Sequence, residues 1–105
     1  MQITITGRHL EVPALLEELL TPKLTRLERF GHKIMGVHAI FGREKYLYLA
    51  EFTLNAKGFT LAAKASHPHD LLGAAEEALD KLTAQLKTRE EKRIERQRRK
   101  APHRP

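Results

Sequence analysis

The sequence predicts an α+β fold: a two-layer sandwich in the order β-α-β-β-β-α, with a four-stranded mixed sheet and two helices on one face. Three observations lead there. Several short segments alternate apolar and polar residues, so each has one face to bury and one to wet. Two longer segments carry apolar residues at helical spacing, so each has a stripe that must lie on something. The chain has 105 residues, which is one domain with a modest core, room for two helices on one sheet.

The first strand spans residues 2–6. Ile3 and Ile5 share one face, Gln2, Thr4 and Thr6 the other, and Gly7 ends it. The first helix follows over residues 13–30, with Pro13 in its first turn, where a missing N–H costs nothing. Leu15, Leu16, Leu19, Leu20, Leu24, Leu27 and Phe30 form a broad apolar face. Glu17 and Glu18 at the start, and Arg26, Arg29 and Lys33 at the end, complement the helix dipole. Pro22 falls inside this pattern, where a proline costs about 3 kcal/mol. A kink or a restart capped by Thr21 is expected there, and because the apolar face stays in phase we read one bent helix. Gly31 is its natural stop.

Residues 33–41 form the second strand, with Val37, Ala39 and Phe41 on one face. Gly42, Arg43, Glu44 and Lys45 read as the turn. The third strand spans 46–55, with Tyr48, Ala50, Phe52 and Leu54 inward. A tight connection over 55–58 places Gly58 for positive φ. The fourth strand, 59–65, sets Phe59, Leu61, Ala63 and Ala65 against Thr60, Ala62 and Lys64. Pro68 and Asp70 suit the start of the second helix, which runs to about residue 100, where Ala101 and Pro102 stop it. Its stripe is Leu71, Ala75, Ala78, Leu82 and Leu86, widened by Leu72 and Leu79. A right-handed crossover makes the first two strands parallel, and the remaining strands follow as an antiparallel meander.

Charge is the strongest functional signal. Residues 81–105 hold ten cations against Glu90, Glu91 and Glu95, a net +7, while residues 1–80, with nine cations and ten acids, carry −1. The whole net charge of +6 therefore sits at one end of the chain, and the sequence pI is about 9.9. A helix docked by one half and cationic in the other suits a polyanion. On that helix Lys81, Arg89, Lys92, Arg96 and Arg99 fall in one stripe, with Gln85 in the gap. Arg26, Arg29 and Lys33 extend the patch if the two helices lie side by side. Arginine forks suit phosphate oxygens and carry little base information. Tyr46 is the candidate for base stacking and Tyr48 is assigned to the core, so recognition of backbone and shape is expected, as with structured RNA.

Catalysis finds no support. There is no phosphate-cradling glycine loop, serine occurs once, at Ser66, and there is no cysteine. His67 and His69, with His38 or His9, are the one conceivable metal set; they read as solvated loop histidines, and His38 as exposed sheet surface. No cofactor, metal, membrane or small-molecule substrate is expected. With no apolar run near about 20 residues and an N-terminus that alternates rather than forming a cationic start and apolar block, an intracellular protein is expected.

The start MQITITGRHLEV, the segment KLTRLERF and the helix DLLGAAEEALDKLTAQLKTREEK resemble the ribosome hibernation promoting factor family, also called ribosome-associated translation inhibitor or sigma-54 modulation proteins. The resemblance covers residues 1 to about 93. It implies a cytoplasmic, non-enzymatic bacterial protein that binds 16S rRNA of the 30S subunit or 70S ribosome over the mRNA channel and the A and P tRNA sites. Such a protein inhibits translation in slow growth and stress. The implied rRNA-binding residues are Lys23, Arg26 and Arg29 on the first helix and Lys81, Lys87, Arg89, Lys92 and Arg93 on the second. Leu72 and Ala75-Glu76 depart from the family's usual aromatic and Ile-Asp pair. Residues 1–93 are assigned as the ribosome-binding domain and 94–105 as a basic C-terminal tail, with no dimerising second domain and a monomeric free protein. Short members favour pairing of ribosomes into inactive dimers, whereas some carry a tail that opposes it, and both remain open here. Two rivals stand beside this reading: a regulatory protein-interaction module using the exposed sheet face, and a generic double-stranded-RNA binder.

Overall fold

The computed structural model describes residues 1–30 and 33–100, the last two by backbone alone. The elements are β1 (Gln2–Arg8), α1 (Ala14–Thr25), a 3₁₀ helix (Arg26–Phe30), β2 (Ile34–Glu44), β3 (Leu47–Ala56), β4 (Phe59–His67) and α2 (Leu71–Lys100). The sheet order is β1-β2-β3-β4, with β1 parallel to β2 and the rest antiparallel. The predicted order and mixed sheet are present. Gly31, expected to stop the first helix, and Ala101 and Pro102, expected to stop the second, lie outside the described residues.

Strand register explains how one face accepts two helices. Ile5, Ala39, Phe52 and Ala63 form one row across the four strands, and Gly7, Phe41, Ala50 and Ala65 another. Each phenyl ring is thus flanked by small neighbours. Phe41 and Phe52 are fully buried and meet edge-to-face at 6.0 Å, the geometry aromatic quadrupoles favour. Against them α2 presents Ala74, Ala75 and Ala78, all fully buried, and these small side chains let the helix backbone approach the strands. Leu82 and Leu86 complete its docked stripe.

α1 docks by Leu16, Leu20 and Leu24, followed by Leu27 in the 3₁₀ helix. The expected broad face is narrower than that: Leu15 is 64% and Leu19 41% exposed, because each sits about 100° round the helix from a docked leucine. The chain does not restart at Pro22. The α-helix runs through Pro22 to Thr25 and then tightens into the 3₁₀ helix at Arg26. Pro22 is exposed, so the Glu18 carbonyl deprived of its N–H partner is on the wet side of the helix.

Three turns differ from the sequence reading. β2 continues past Gly42 to Glu44, and the reversal is Lys45-Tyr46, with Lys45 left-handed at φ 56°. β4 continues to His67, and α2 begins at Leu71 with the Asp70 carboxylate accepting the Leu72 N–H at 3.0 Å; Pro68 therefore precedes the helix. β1 runs through Gly7 to Arg8 rather than ending there. The left-handed turn at His9 (φ 61°) folds the chain back, so a Cβ on Gly7 would collide with the Leu10 carbonyl oxygen. Gly7→Ala is expected to cost about 1–3 kcal/mol, read as a lower midpoint in thermal or urea unfolding.

Candidate nucleic-acid interface

Chain direction fixes where the cations gather. With β1 and β2 parallel, α1 must return between them; β3 and β4 each reverse, and α2 returns again. Both helices therefore run the same way and bring their C-terminal ends to the end of the sheet where β2 and β4 begin. Arg26, Arg29, Lys33, the β3–β4 turn at Lys57-Gly58 and the cationic half of α2 share that end. Lys33 belongs to neither the first helix nor β2; its carbonyl accepts the Lys57 N–H at 2.9 Å. Tyr46, the stacking candidate, is 69% exposed but sits at the opposite end, in the β2–β3 turn. Tyr48 is half-buried beneath the Arg43 guanidinium, 5.1 Å from its ring.

α2 outruns the sheet it lies on. Leu86 is its last buried residue, and residues 91–98 are all exposed. Steps of three and four from Leu82 and Leu86 lead to Arg89, Arg93 and Arg96, so the docked face turns from leucine to arginine where the sheet stops. Arg89 lies over the Phe59 ring, 3.8 Å from its centroid, at the first residue of β4. Arg89, Lys92, Arg93 and Arg96 join Lys57, Gly58 and Phe59 around a depression of about 340 Å³. Arg93 is gripped by the Glu90 carboxylate through two hydrogen bonds, Nη2 at 2.6 Å and Nε at 3.1 Å. That hydrogen bonding, and then the negative charge itself, hold the Arg93 pKa above its ordinary value.

The remaining implied residues fall in three other places. On the flank toward α1, Lys23 pairs with Glu76 of α2 at 3.6 Å. Arg26 and Arg29 line a depression of about 330 Å³ with Phe30, Leu79, Asp80 and Thr83. The two helices are neighbours, as expected, but Glu76 and Asp80 stand between their cations. On the flank toward β4, Lys81 is committed: its ammonium donates to the Lys64 carbonyl at 3.0 Å and lies 4.0 Å from Glu77. Gln85 donates to the Ala62 carbonyl at 3.0 Å. β4 is an edge strand, and these two side chains occupy carbonyls that would otherwise invite another strand. Lys87 follows buried Leu86 and is exposed, turned about 100° from the docked face. The eight implied residues thus form two groups on opposite flanks of α2, with Lys87 continuing the stripe of Glu76, Asp80 and Thr83 on the α1 side. The sequence reading left Lys57 out, although its place in a tight turn beside the start of the fourth strand was legible. Arg99 belongs to the expected stripe, but its side chain lies outside the described residues.

Among the described residues the histidines do not assemble a site. His38 hydrogen-bonds Thr6 across the wet face at 2.9 Å. The His67 Nδ1 accepts the N–H groups of His69 and Asp70. Among the described residues no three metal-ligating side chains come together.

This architecture is shared. The family model described as "Sigma 54 modulation protein / S30EA ribosomal protein" matches residues 3–94. The chain belongs to that family. A ribosome hibernation promoting factor of Azotobacter vinelandii is 37% identical over 102 residues, covering 97% of this chain and 94% of that protein. The Escherichia coli K12 protein of the same name is 32% identical over 92 residues, covering 88% and 96%. Among solved structures, a ribosomal subunit interface protein from Coxiella burnetii superposes with a TM-score of 0.77 at 27% identity, covering 84% of this chain and 96% of its own. The Thermus thermophilus Protein Y N-terminal domain shares the fold, with a TM-score of 0.74 at 24% identity over 84% of this chain and 98% of that domain. Among the described residues no helix is long and apolar enough to cross a membrane.

Proposed function

We propose that this chain is a ribosome hibernation factor: a non-enzymatic cytoplasmic protein, monomeric when free, that binds 16S rRNA of the small subunit at the mRNA and tRNA channel. Occupying the A and P sites, it blocks translation by steric exclusion when growth slows. The names of its relatives support the ribosome as partner. The observation that carries the reading is the delivery of both helix C-termini, with their cations, to one end of the sheet. Arg89, Lys92 and Arg93 grip phosphates from the β4 flank of α2, and Lys23, Arg26, Arg29 and Lys87 from the α1 flank. The basic tail from residue 94 extends the same contact.

Affinity for ribosomes, titrated across salt, tests this. A cation-to-phosphate interface gives a linear fall of log K with log salt, about −0.7 to −0.9 per phosphate neutralised. A flat dependence contradicts it. Lys81 is the weakest contributor, since its ammonium is already engaged at the β4 edge. Lys81→Ala is expected to change ribosome affinity by less than about threefold while costing about 0.5–1.5 kcal/mol of stability for the lost hydrogen bond. Parallel binding and urea-unfolding curves check it.

A further inference from the structure

We propose that the β3–β4 turn is itself part of the interface: Lys57, with Arg89 held over Phe59, completes a seat for RNA backbone phosphates whose other walls are Lys92, Arg93 and Arg96. This rests on the ribosome reading above and adds to it a non-helical element and a positioning residue.

Three features of the depression carry it. First, its lining includes no carboxylate. The depression beside α1 has Asp80 in its wall, and a hollow beside the outer sheet face has Glu44 and Glu51. Of the three, only this one has cations and no carboxylate in its lining, and Glu90, outside the lining, already pairs with Arg93. Second, the turn is open and tethered. The Lys57 N–H is fixed to the Lys33 carbonyl, and Gly58, at φ 92°, has nothing within 4 Å of where a Cβ would stand. An extended strand of phosphates can approach without displacing a side chain there.

Third, Phe59 pre-arranges Arg89. The Arg89 guanidinium carbon lies 3.8 Å from the ring centroid, a cation–π contact that restrains the guanidinium without using its N–H donors on a carboxylate. Those donors match the forked geometry of a phosphate, and holding them in place beforehand reduces the ordering cost of binding. Arg93 is arranged in a similar way. The Glu90 fork uses its Nε and one Nη2 hydrogen and leaves three of the five guanidinium donors for a ligand.

The test uses the full chain and 70S ribosomes, with affinity measured over a salt series. Lys57→Ala is expected to make the log–log salt slope shallower by about 0.7–0.9, one phosphate contact, and Lys57→Glu to weaken binding further. Phe59→Leu keeps apolar bulk but loses the ring quadrupole. It is expected to weaken binding about two- to fivefold in the wild-type background and by nothing more in an Arg89→Ala background. Far-ultraviolet circular dichroism confirms folding; if Phe59→Leu does not fold, the exposed Lys57 variants decide. Wild-type binding with an unchanged slope in both Lys57 variants overturns this proposal alone, as do Phe59 and Arg89 effects that simply add. Wild-type protein that binds no ribosome at any salt overturns both this proposal and the ribosome reading.

Discussion

Exchanging Arg89 and Lys92 for glutamate is expected to lower ribosome affinity by at least about a hundredfold at moderate salt. Each exchange removes a proposed phosphate contact and adds a repelling charge at the same place. Both residues line the depression at the end of α2, whose lining holds no carboxylate. Lys23 is the instructive contrast. It pairs with Glu76, so its reversal disrupts an existing ion pair as well as a contact. The fold should survive the double exchange. Lys92 is exposed, and Arg89 contributes a cation–π contact worth about 0.5–2 kcal/mol. A filter-binding titration with the variant, set beside its thermal melt, separates lost affinity from lost structure.

Phe52→Ala is expected to be the most destabilising single truncation, at about 3–5 kcal/mol. The ring is fully buried, central in the row Ile5, Ala39, Phe52, Ala63, and in edge contact with Phe41. Its row neighbours on the two adjoining strands are alanines, and α2 covers it partly with alanines. Those side chains are too short to close the space a lost phenyl leaves, which places the cost at the cavity-forming end of the range. For a domain of this size the melting midpoint should fall by roughly 15–30 °C. A calorimetric scan reads it directly.

Much of this was legible in the sequence because period-two and period-3.6 patterns are enforced by burial. Ile3 and Ile5, Phe52 and Leu54, and Ala75, Ala78, Leu82 and Leu86 all face inward as their spacing requires. The misplacements came where local chemistry gave no marker. The Lys45 turn adopts a left-handed backbone without glycine or asparagine, so Gly42 drew the turn too early. Gly7 looked like a stop because glycine often is one; what demands it is the close return of the Leu10 carbonyl, a contact no pattern encodes. Pro22 broke the propensity rule without breaking the helix, since the carbonyl it leaves unpaired is on the wet side. Leu15 and Leu19 were credited to the core because spacing cannot tell how wide a docked face is.

The candidate site was legible as charge but not as geometry. Counting cations found the second helix, and the resemblance named eight residues. Neither shows that Lys81 is occupied at the β4 edge, that Glu76 and Asp80 separate the two helix groups, or that Lys57 joins Arg89 from a turn more than thirty positions earlier. These depend on which strand is an edge and where α2 leaves the sheet, properties of topology rather than of any segment.

The most direct test is sedimentation of the protein with separated 30S and 50S subunits and with 70S ribosomes through sucrose gradients at low and moderate salt. Co-migration with 30S and 70S, weakened by salt and lost in the Arg89→Glu/Lys92→Glu variant, is the expected result; a peak heavier than 70S would add ribosome pairing to the activity. Protein that stays at the top of the gradient at every salt, or a double variant that sediments like the wild type, would contradict it.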